Sequence, residues 1–330
     1  MTVQSPEVSQ VELNTYITCW LDTDLKPNEL QKKLKHLANL VLNLARISTK
    51  QTNLTIFTNN RVDEFEPLLR PLTYKENSII EVREVSREEL IDIPTKLYIP
   101  WLLTWIHKKK MKNDIEHGHE NSIYLYLEDD AIFTSDNLNY FLEYLTKLSR
   151  IGLIPGFLRA EWSKTASSWL NPDTFSDASS SKLAILENET EVFFQRENPY
   201  SASILLNQEL AEEYLQSESF NQQTAWNKHK FIFDIGSTAA LGLIAENVPN
   251  GFLNRVATPH NPKNFYPHPG CILRHQGDKY ANDIWQSHFE LFGTYPEKRL
   301  ITRRSIFDKL IRLGKKDRLF IIKKLLKEVK

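Results

Sequence analysis

The sequence predicts an α/β protein: a mostly parallel central sheet flanked by helices, followed by a C-terminal helical tail. Three observations predict it. Strand-type and helix-type apolar spacings alternate along residues 15–150, which is how a parallel sheet with crossover helices is written. The run Ser122–Leu127 is apolar on both faces, as a central parallel strand requires. The composition, 41% hydrophobic and 11% aromatic over 330 residues, supplies a large core.

Each element follows from its residues. Thr15–Leu21 is β-branched and aromatic, and is closed by Asp22-Thr23-Asp24 and Pro27. Asn28 is placed to cap a helix with Gln31 at its N3 position. Leu30, Leu34, Leu37, Val41 and Leu44 then recur at helical spacing. Thr52–Thr58 is a second strand ended by Asn59-Asn60, which completes a βαβ unit. Ser78–Val85 is a third apolar run, and a helix is predicted over about 96–112. The strand Ser122–Leu127 stops at Glu128-Asp129-Asp130, and Asn137–Leu148 reads as the next helix.

The second half is less regular. Residues 163–182, rich in Ser and Asp, read as a loop. Val192–Arg196 and Ser201–Leu206 read as a hairpin or as edge strands. Asn207–Gln216 and Thr238–Glu246 read as helices, and 249–282 as a loop-built surface. The body is expected to span 1–298, in halves of about 15–150 and 151–298, with a basic amphipathic helical tail at 299–330.

Composition excludes several classes. Near-zero net charge with many aromatics is not the signature of disorder. No stretch approaches the roughly 18 apolar residues of a membrane span. The N-terminus lacks the basic and apolar regions of a secretory signal, so a cytoplasmic address is expected. Two distant cysteines, Cys19 and Cys271, each in an apolar run, suit buried free thiols in a reducing compartment better than a disulfide or zinc framework. With ten glycines there is neither a Gly-x-Gly-x-x-Gly nor a Gly-x-x-x-x-Gly-Lys-Ser/Thr cradle; Gly-x-Ser-x-Gly and His-Glu-x-x-His are also absent. The tail carries 12 Lys/Arg against 3 Asp/Glu, so the near-neutral total conceals an acidic body. The Leu319, Ile322, Leu326 and Val329 stripe suits either an anionic membrane surface or docking on the body. Nucleic acid is not an expected partner, since the body is acidic and the basic stretch lacks interleaved aromatics.

The acidic triplet carries the chemistry. On a strand Glu128 and Asp130 would share one face and Asp129 the other. The triplet lies just past the carboxyl end of a buried strand, where open α/β sheets bind ligands. Adjacent carboxylates repel, and a hard divalent cation, Mg²⁺ or Mn²⁺, relieves the repulsion. The competing reading is an acidic turn that caps the following helix.

A β-α-β start, a central apolar strand ending in E-D-D and a later His-bearing loop resemble the GT-A family of nucleotide-sugar glycosyltransferases. The resemblance spans roughly residues 15–290. It implies a GT-A-like catalytic domain with a donor half at about 15–150 and an acceptor half at 151–298. It also implies Mn²⁺ or Mg²⁺ as cofactor, a nucleotide-sugar donor, and a glycan or glycolipid acceptor. Asp130 would ligate the metal. Glu128 would join it there or, with Asp129, contact metal-bound water or the donor. Asp22 and Asp24 would hold the nucleotide. His275, preferred to His268, would complete the metal shell, and Arg274 and Lys279 would neutralise the diphosphate. Arg159 and Trp162 would bind the acceptor, although Arg159 and Glu161 equally suit a buried ion pair. Asp234 or Glu161 would act as base, and Asp234 equally suits a helix cap. Rival readings are a carboxylate-metal phosphoesterase or nucleotidyltransferase, and a non-catalytic binding protein on the same fold.

Overall fold

The computed structural model describes residues 6–301 except 23, 61–62, 64, 74, 92–98, 165–166, 175–182, 185–190, 197, 230–232, 265, 278–280, 282–287 and 292–298. Lys279 and the tail helix expected at 302–330 lie outside the described residues.

The first half runs β1 (Glu12–Cys19), α1 (Pro27–Ala45), β2 (Gln51–Thr58), α2 (Phe65–Thr73), β3 (Ser78–Glu84), α3 (Arg87–Ile91), α4 (Ile99–Glu116) and β4 (Ser122–Glu128). After it come β5 (Ala131–Ile132), α5 (Ser135–Leu148), β6 (Ile154–Pro155), β7 (Leu158–Ser163), β8 (Ser168–Thr174), β9 (Leu183–Ala184), β10 (Val192–Phe194) and β11 (Ser203–Asn207). The chain continues through α6 (Gln208–Gln216), α7 (Gln222–His229), α8 (Ile235–Ala239), β12 (Val256–His260), β13 (Ile272–His275), β14 (His288–Leu291) and β15 (Arg299–Ile301).

The central sheet has the order β3-β2-β1-β4-β11. Its first four strands are parallel, and β11 closes the edge antiparallel to β4. Helices flank it, so β1 and β4 are buried along almost their whole length. This is why both read as unbroken apolar runs instead of alternating ones. Leu125 and Leu127 are wholly buried in the core, where truncation to Ala costs about 2–5 kcal/mol. A second, six-stranded sheet runs β15-β14-β8-β7-β13-β5, and a third runs β6-β12-β10-β9.

The passage between the first two sheets matters most. The chain leaves β4 through the turn Asp129-Asp130 and enters β5, which pairs antiparallel with β13. In that register Ala131 faces His275. Asp130 and His275, separated by 145 positions, are thereby fixed side by side.

Several sequence expectations are corrected. Helix α1 begins at Pro27, one residue before Asn28, because proline suits the first helical position, whose N–H has no partner in any case. Glu29, not Gln31, is its N3 residue, and its side chain accepts from the Lys26 N–H. The 163–182 stretch holds strand β8, reached through a turn in which Ser167 adopts φ 47°. Its polar composition conceals two inward residues, Leu170 and Asn171. Strands β10 and β11 do not pair with each other; they belong to different sheets. The helix expected at 238–246 is the short α8, and the following chain turns at Gly242 (φ +54°), whose close approach to Ile204 leaves little room for a side chain. The 249–282 surface is built on β12 and β13.

Cys19 and Cys271 are buried, unpaired thiols. Among the described residues no helix is long and apolar enough to cross a membrane.

Buried His260 on β12 exposes a pH dependence. Its Nδ1 donates to the Thr258 carbonyl at 3.0 Å and its Nε2 accepts from Arg196 at 3.3 Å, a pattern only the neutral ring satisfies. Burial and then the Arg196 charge push its pKa down to about 3. The unfolded chain therefore binds a proton near pH 6.5 that the folded chain refuses, and stability falls as pH drops from there toward 3. The stability difference between wild type and His260→Gln is expected to shrink by about 1.4 kcal/mol per pH unit across that window. Denaturant titrations at stepped pH check it; a pH-independent difference contradicts it.

Candidate metal centre

Glu128 is the last residue of β4, Asp130 closes the turn that follows, and His275 ends β13. One ligand atom from each lies within 4.8 Å of the others. Asp130 Oδ1 is 3.0 Å from His275 Nδ1. The His275 side chain is 0% exposed, and its Nε2 is buried without a hydrogen-bond partner among the described residues. Backbone pairing continues past β13, with Gln276 N–H donating to the Asp130 carbonyl at 2.8 Å. Gly277 then passes so close that a Cβ there would stand 2.6 Å from Asp130 Oδ2. Only glycine allows this approach.

The charges are arranged around this triad. Tyr200 OH donates to Glu128 Oε1 at 3.0 Å. Burial, then the neighbouring Asp130, pushes the Glu128 carboxyl up to about 7, against the pull of Arg159 and His275. Burial also works to raise Asp130, but the His275 imidazole, with Arg159 and His36, outweighs it and holds that carboxyl below the usual range. One carboxylate is thus held toward its ionised form and the other is pushed toward protonation, first by burial and then by its neighbour. A divalent cation between them would relieve that repulsion, and two carboxylates with one imidazole form an oxygen-and-nitrogen donor set that such an ion accepts. Asp130, Glu128 and His275 therefore fit a metal.

Asp129 faces elsewhere. Its Oδ2 is 3.7 Å from Lys33 Nζ, and Lys33 donates to the Trp20 carbonyl at 2.5 Å. Burial would lower the Lys33 pKa, but Asp129, Cys19, Asp22 and Asp130 together raise it. The polar face of α1 is fastened to the same corner. Gln276 donates to the His36 carbonyl at 2.8 Å and accepts from Asn39 Nδ2 at 2.7 Å. At the end of β2, Asn59 accepts from Leu21 N–H and donates to Leu21 C=O, both at 2.7 Å, and so pins the loop bearing Asp22. Lys33, His36, Asn39, Asn59, Tyr200 and Gln276 were missed from sequence. Lys33, His36 and Asn39 recur at helical spacing, a signal overshadowed by the leucine stripe beside it.

The other predicted residues are distributed as follows. Asp22 and Asp24 are exposed in the loop after β1, and Asp22 accepts from Trp20 Nε1 at 2.6 Å. Arg159 and Glu161 form a buried pair at 2.7 Å on the face of the second sheet that also carries His275. Glu161 is 0% exposed and also accepts from Ala281 N–H at 2.9 Å. Arg274 is on the opposite face of β13, since neighbours on a strand alternate. Its guanidinium lies 5.2 Å from the ring centre of Trp169. Trp162, 42% exposed, meets Trp169 edge to face at 5.5 Å. Asp234 is exposed and caps α8, accepting from Ser237 N–H at 2.7 Å and from Ser237 Oγ at 3.1 Å. His268 stacks on Tyr140 of α5 instead of joining the triad.

No family model and no curated protein matches the chain. Among solved structures it is similar to an active-site mutant of LgtC (12% identity, covering 70% of this chain and 69% of that one, TM-score 0.36). It is also similar to mouse xyloside xylosyltransferase 1 in its apo form (14%, 70% and 81%, TM-score 0.37). A third likeness is to S. aureus TarS (9%, 62% and 30%, TM-score 0.33). Overlaps this slight speak to neither activity nor substrate.

Gly277→Ala is expected to press on Asp130 Oδ2 and weaken Mn²⁺ binding about tenfold, equivalent to about 1.4 kcal/mol, while the protein stays folded. Calorimetric Mn²⁺ titration with a thermal-melt control checks this. Unchanged affinity would show that the close approach is not part of a metal site.

Proposed function

We propose that this chain is a divalent-metal-dependent glycosyltransferase moving a sugar from a nucleotide-diphosphate donor to a glycan or glycolipid acceptor. The observation that carries the reading is the Glu128–Asp130–His275 triad at the carboxyl edge of a parallel sheet, with the glycine approach beside it. When bound, Mn²⁺ or Mg²⁺ would offset the negative charge that develops on a departing nucleoside diphosphate. Asp130, Glu128 and His275 would hold the ion.

The remaining roles follow from placement. Asp129 orients Lys33, whose ammonium adds positive charge at the same corner. Asp22 and Asp24, on the exposed loop pinned by Asn59, would take the nucleotide's hydroxyl and amine donors. Both carboxylate oxygens of Glu161 are engaged, so we assign it to orienting Arg159, with Arg159 turned toward the acidic centre. Asp234 is exposed and held in one orientation by its cap, and is the better of the two expected bases for the acceptor hydroxyl. A cytoplasmic protein whose basic 302–330 segment meets an anionic membrane surface would suit a glycolipid acceptor; the charge asymmetry supports that placement.

Incubation with UDP-, GDP- and CMP-linked sugars in Mn²⁺ is expected to release the free nucleotide of one donor. Asp130→Asn is expected to cut that release about 10²–10³-fold with folding retained. Undiminished turnover in Asp130→Asn removes the metal assignment. Release of pyrophosphate, or of a monophosphate from a diphosphate donor, would instead identify a nucleotidyltransferase or phosphoesterase.

A further inference from the structure

The loop between β12 and β13 lines a cavity of about 820 Å³, walled by His260, Asn261, Lys263, Tyr266, His268 and Glu191. It is not the metal centre. His268 lies just before β13 and His275 at its end, and that four-residue strand alone spans about 13 Å. The volume falls within the range of small-ligand sites.

We propose that this cavity is a saccharide-binding site, separate from the Glu128–Asp130–His275 centre. This assignment is independent of the chemistry proposed there. A sugar ring presents one apolar C–H face and a rim of hydroxyls, and the cavity offers the complement of both. Tyr266, 40% exposed, and His268 supply flat ring surfaces, extended by Pro262, Pro267 and Pro269.

Donors for the hydroxyls are set by the loop's own bonds. Asn261 Oδ1 accepts from Lys263 N–H at 2.8 Å and Asn264 Oδ1 accepts from Tyr266 N–H at 3.0 Å. Both side-chain amides are thereby fixed with their N–H₂ groups left to donate. His268 Nδ1 accepts from Gly270 N–H at 3.1 Å, so its proton is on Nε2. The Lys263 ammonium adds a further donor.

Glu191 adds an acceptor to the lining. The Glu191 carboxylate takes the Tyr144 hydroxyl and lies 3.8 Å from Lys147. The carboxylate can accept from a sugar hydroxyl, and it offsets the Lys263 charge, so the wall has no net charge that would select an anion. Because the two amides and the His268 ring are fixed before binding, less ordering entropy is lost when a ligand enters.

The experiment uses the full chain with maltotriose, cellotriose, chitotriose and β-1,4-galactotriose, read by saturation-transfer NMR and calorimetry. At least one trisaccharide is expected to bind wild type, and Asp130→Asn equally well. Tyr266→Ala and Lys263→Ala are each expected to weaken binding at least fivefold. Neither side chain carries the loop's internal bonds, so both variants should melt close to wild type, and either alone suffices if the other misfolds. Four outcomes overturn the proposal: none of the four sugars binds, both loop variants bind as wild type does, Asp130→Asn abolishes binding, or inorganic phosphate displaces the sugar.

Discussion

Two backbone pairs between β5 and β13 set the rest of the structure in order. By placing Ala131 opposite His275, they force Asp130 against the imidazole while β4 delivers Glu128 to the same spot. Ionised carboxylates this close, at the edge of a core that excludes water, are unfavourable by themselves. The 3.0 Å bond from His275 relieves part of the repulsion, while burial and then Asp130 push the Glu128 carboxyl up. A divalent cation among the three side chains would offset the like charge that remains.

The surroundings hold that corner rigid. Gln276 ties the end of β13 to α1 and, through its backbone, to Asp130. Arg159 is kept in place by Glu161, and Glu161 by the Ala281 amide, so the buried pair is hydrogen-bonded beyond its own contact. A buried pair of this kind adds little net stability, and its stronger effect is on orientation. The guanidinium bears on both Glu128 and Asp130. The acidic centre thus depends on groups contributed by the central sheet, the second sheet and α1 together.

Much of the central sheet was legible in the sequence because its signals are local. Buried parallel strands such as Ser122–Glu128 read as apolar runs, and the leucines of α1 recur with the helical period. The E-D-D turn was legible because three charges interrupt such a run abruptly. What escaped depends on distant partners. Nothing near Gln276 announces that its amide meets His36 and Asn39, some 240 residues earlier. Strand β8 holds Asn171, Pro172 and Asp173 in succession, residues of a turn, and pairing with β7 makes it a strand. Arg274 falls on the face of β13 away from His275, because neighbours on a strand alternate, and it meets Trp169, a residue 105 positions earlier. Lys108 shows the same limit. The sequence places it in a run of lysines, yet it is buried, donating to the Ser219 carbonyl at 2.7 Å and stacked 4.0 Å over Trp105.

The central claim concerns where an ion sits, and anomalous scattering tests that directly. Crystals grown with Mn²⁺ and a nucleoside diphosphate, measured near the manganese absorption edge, are predicted to show one strong peak bounded by Glu128, Asp130 and His275, with a phosphate oxygen beside it. A peak elsewhere, or a direct Asp130–His275 bond persisting at saturating Mn²⁺, would contradict the account.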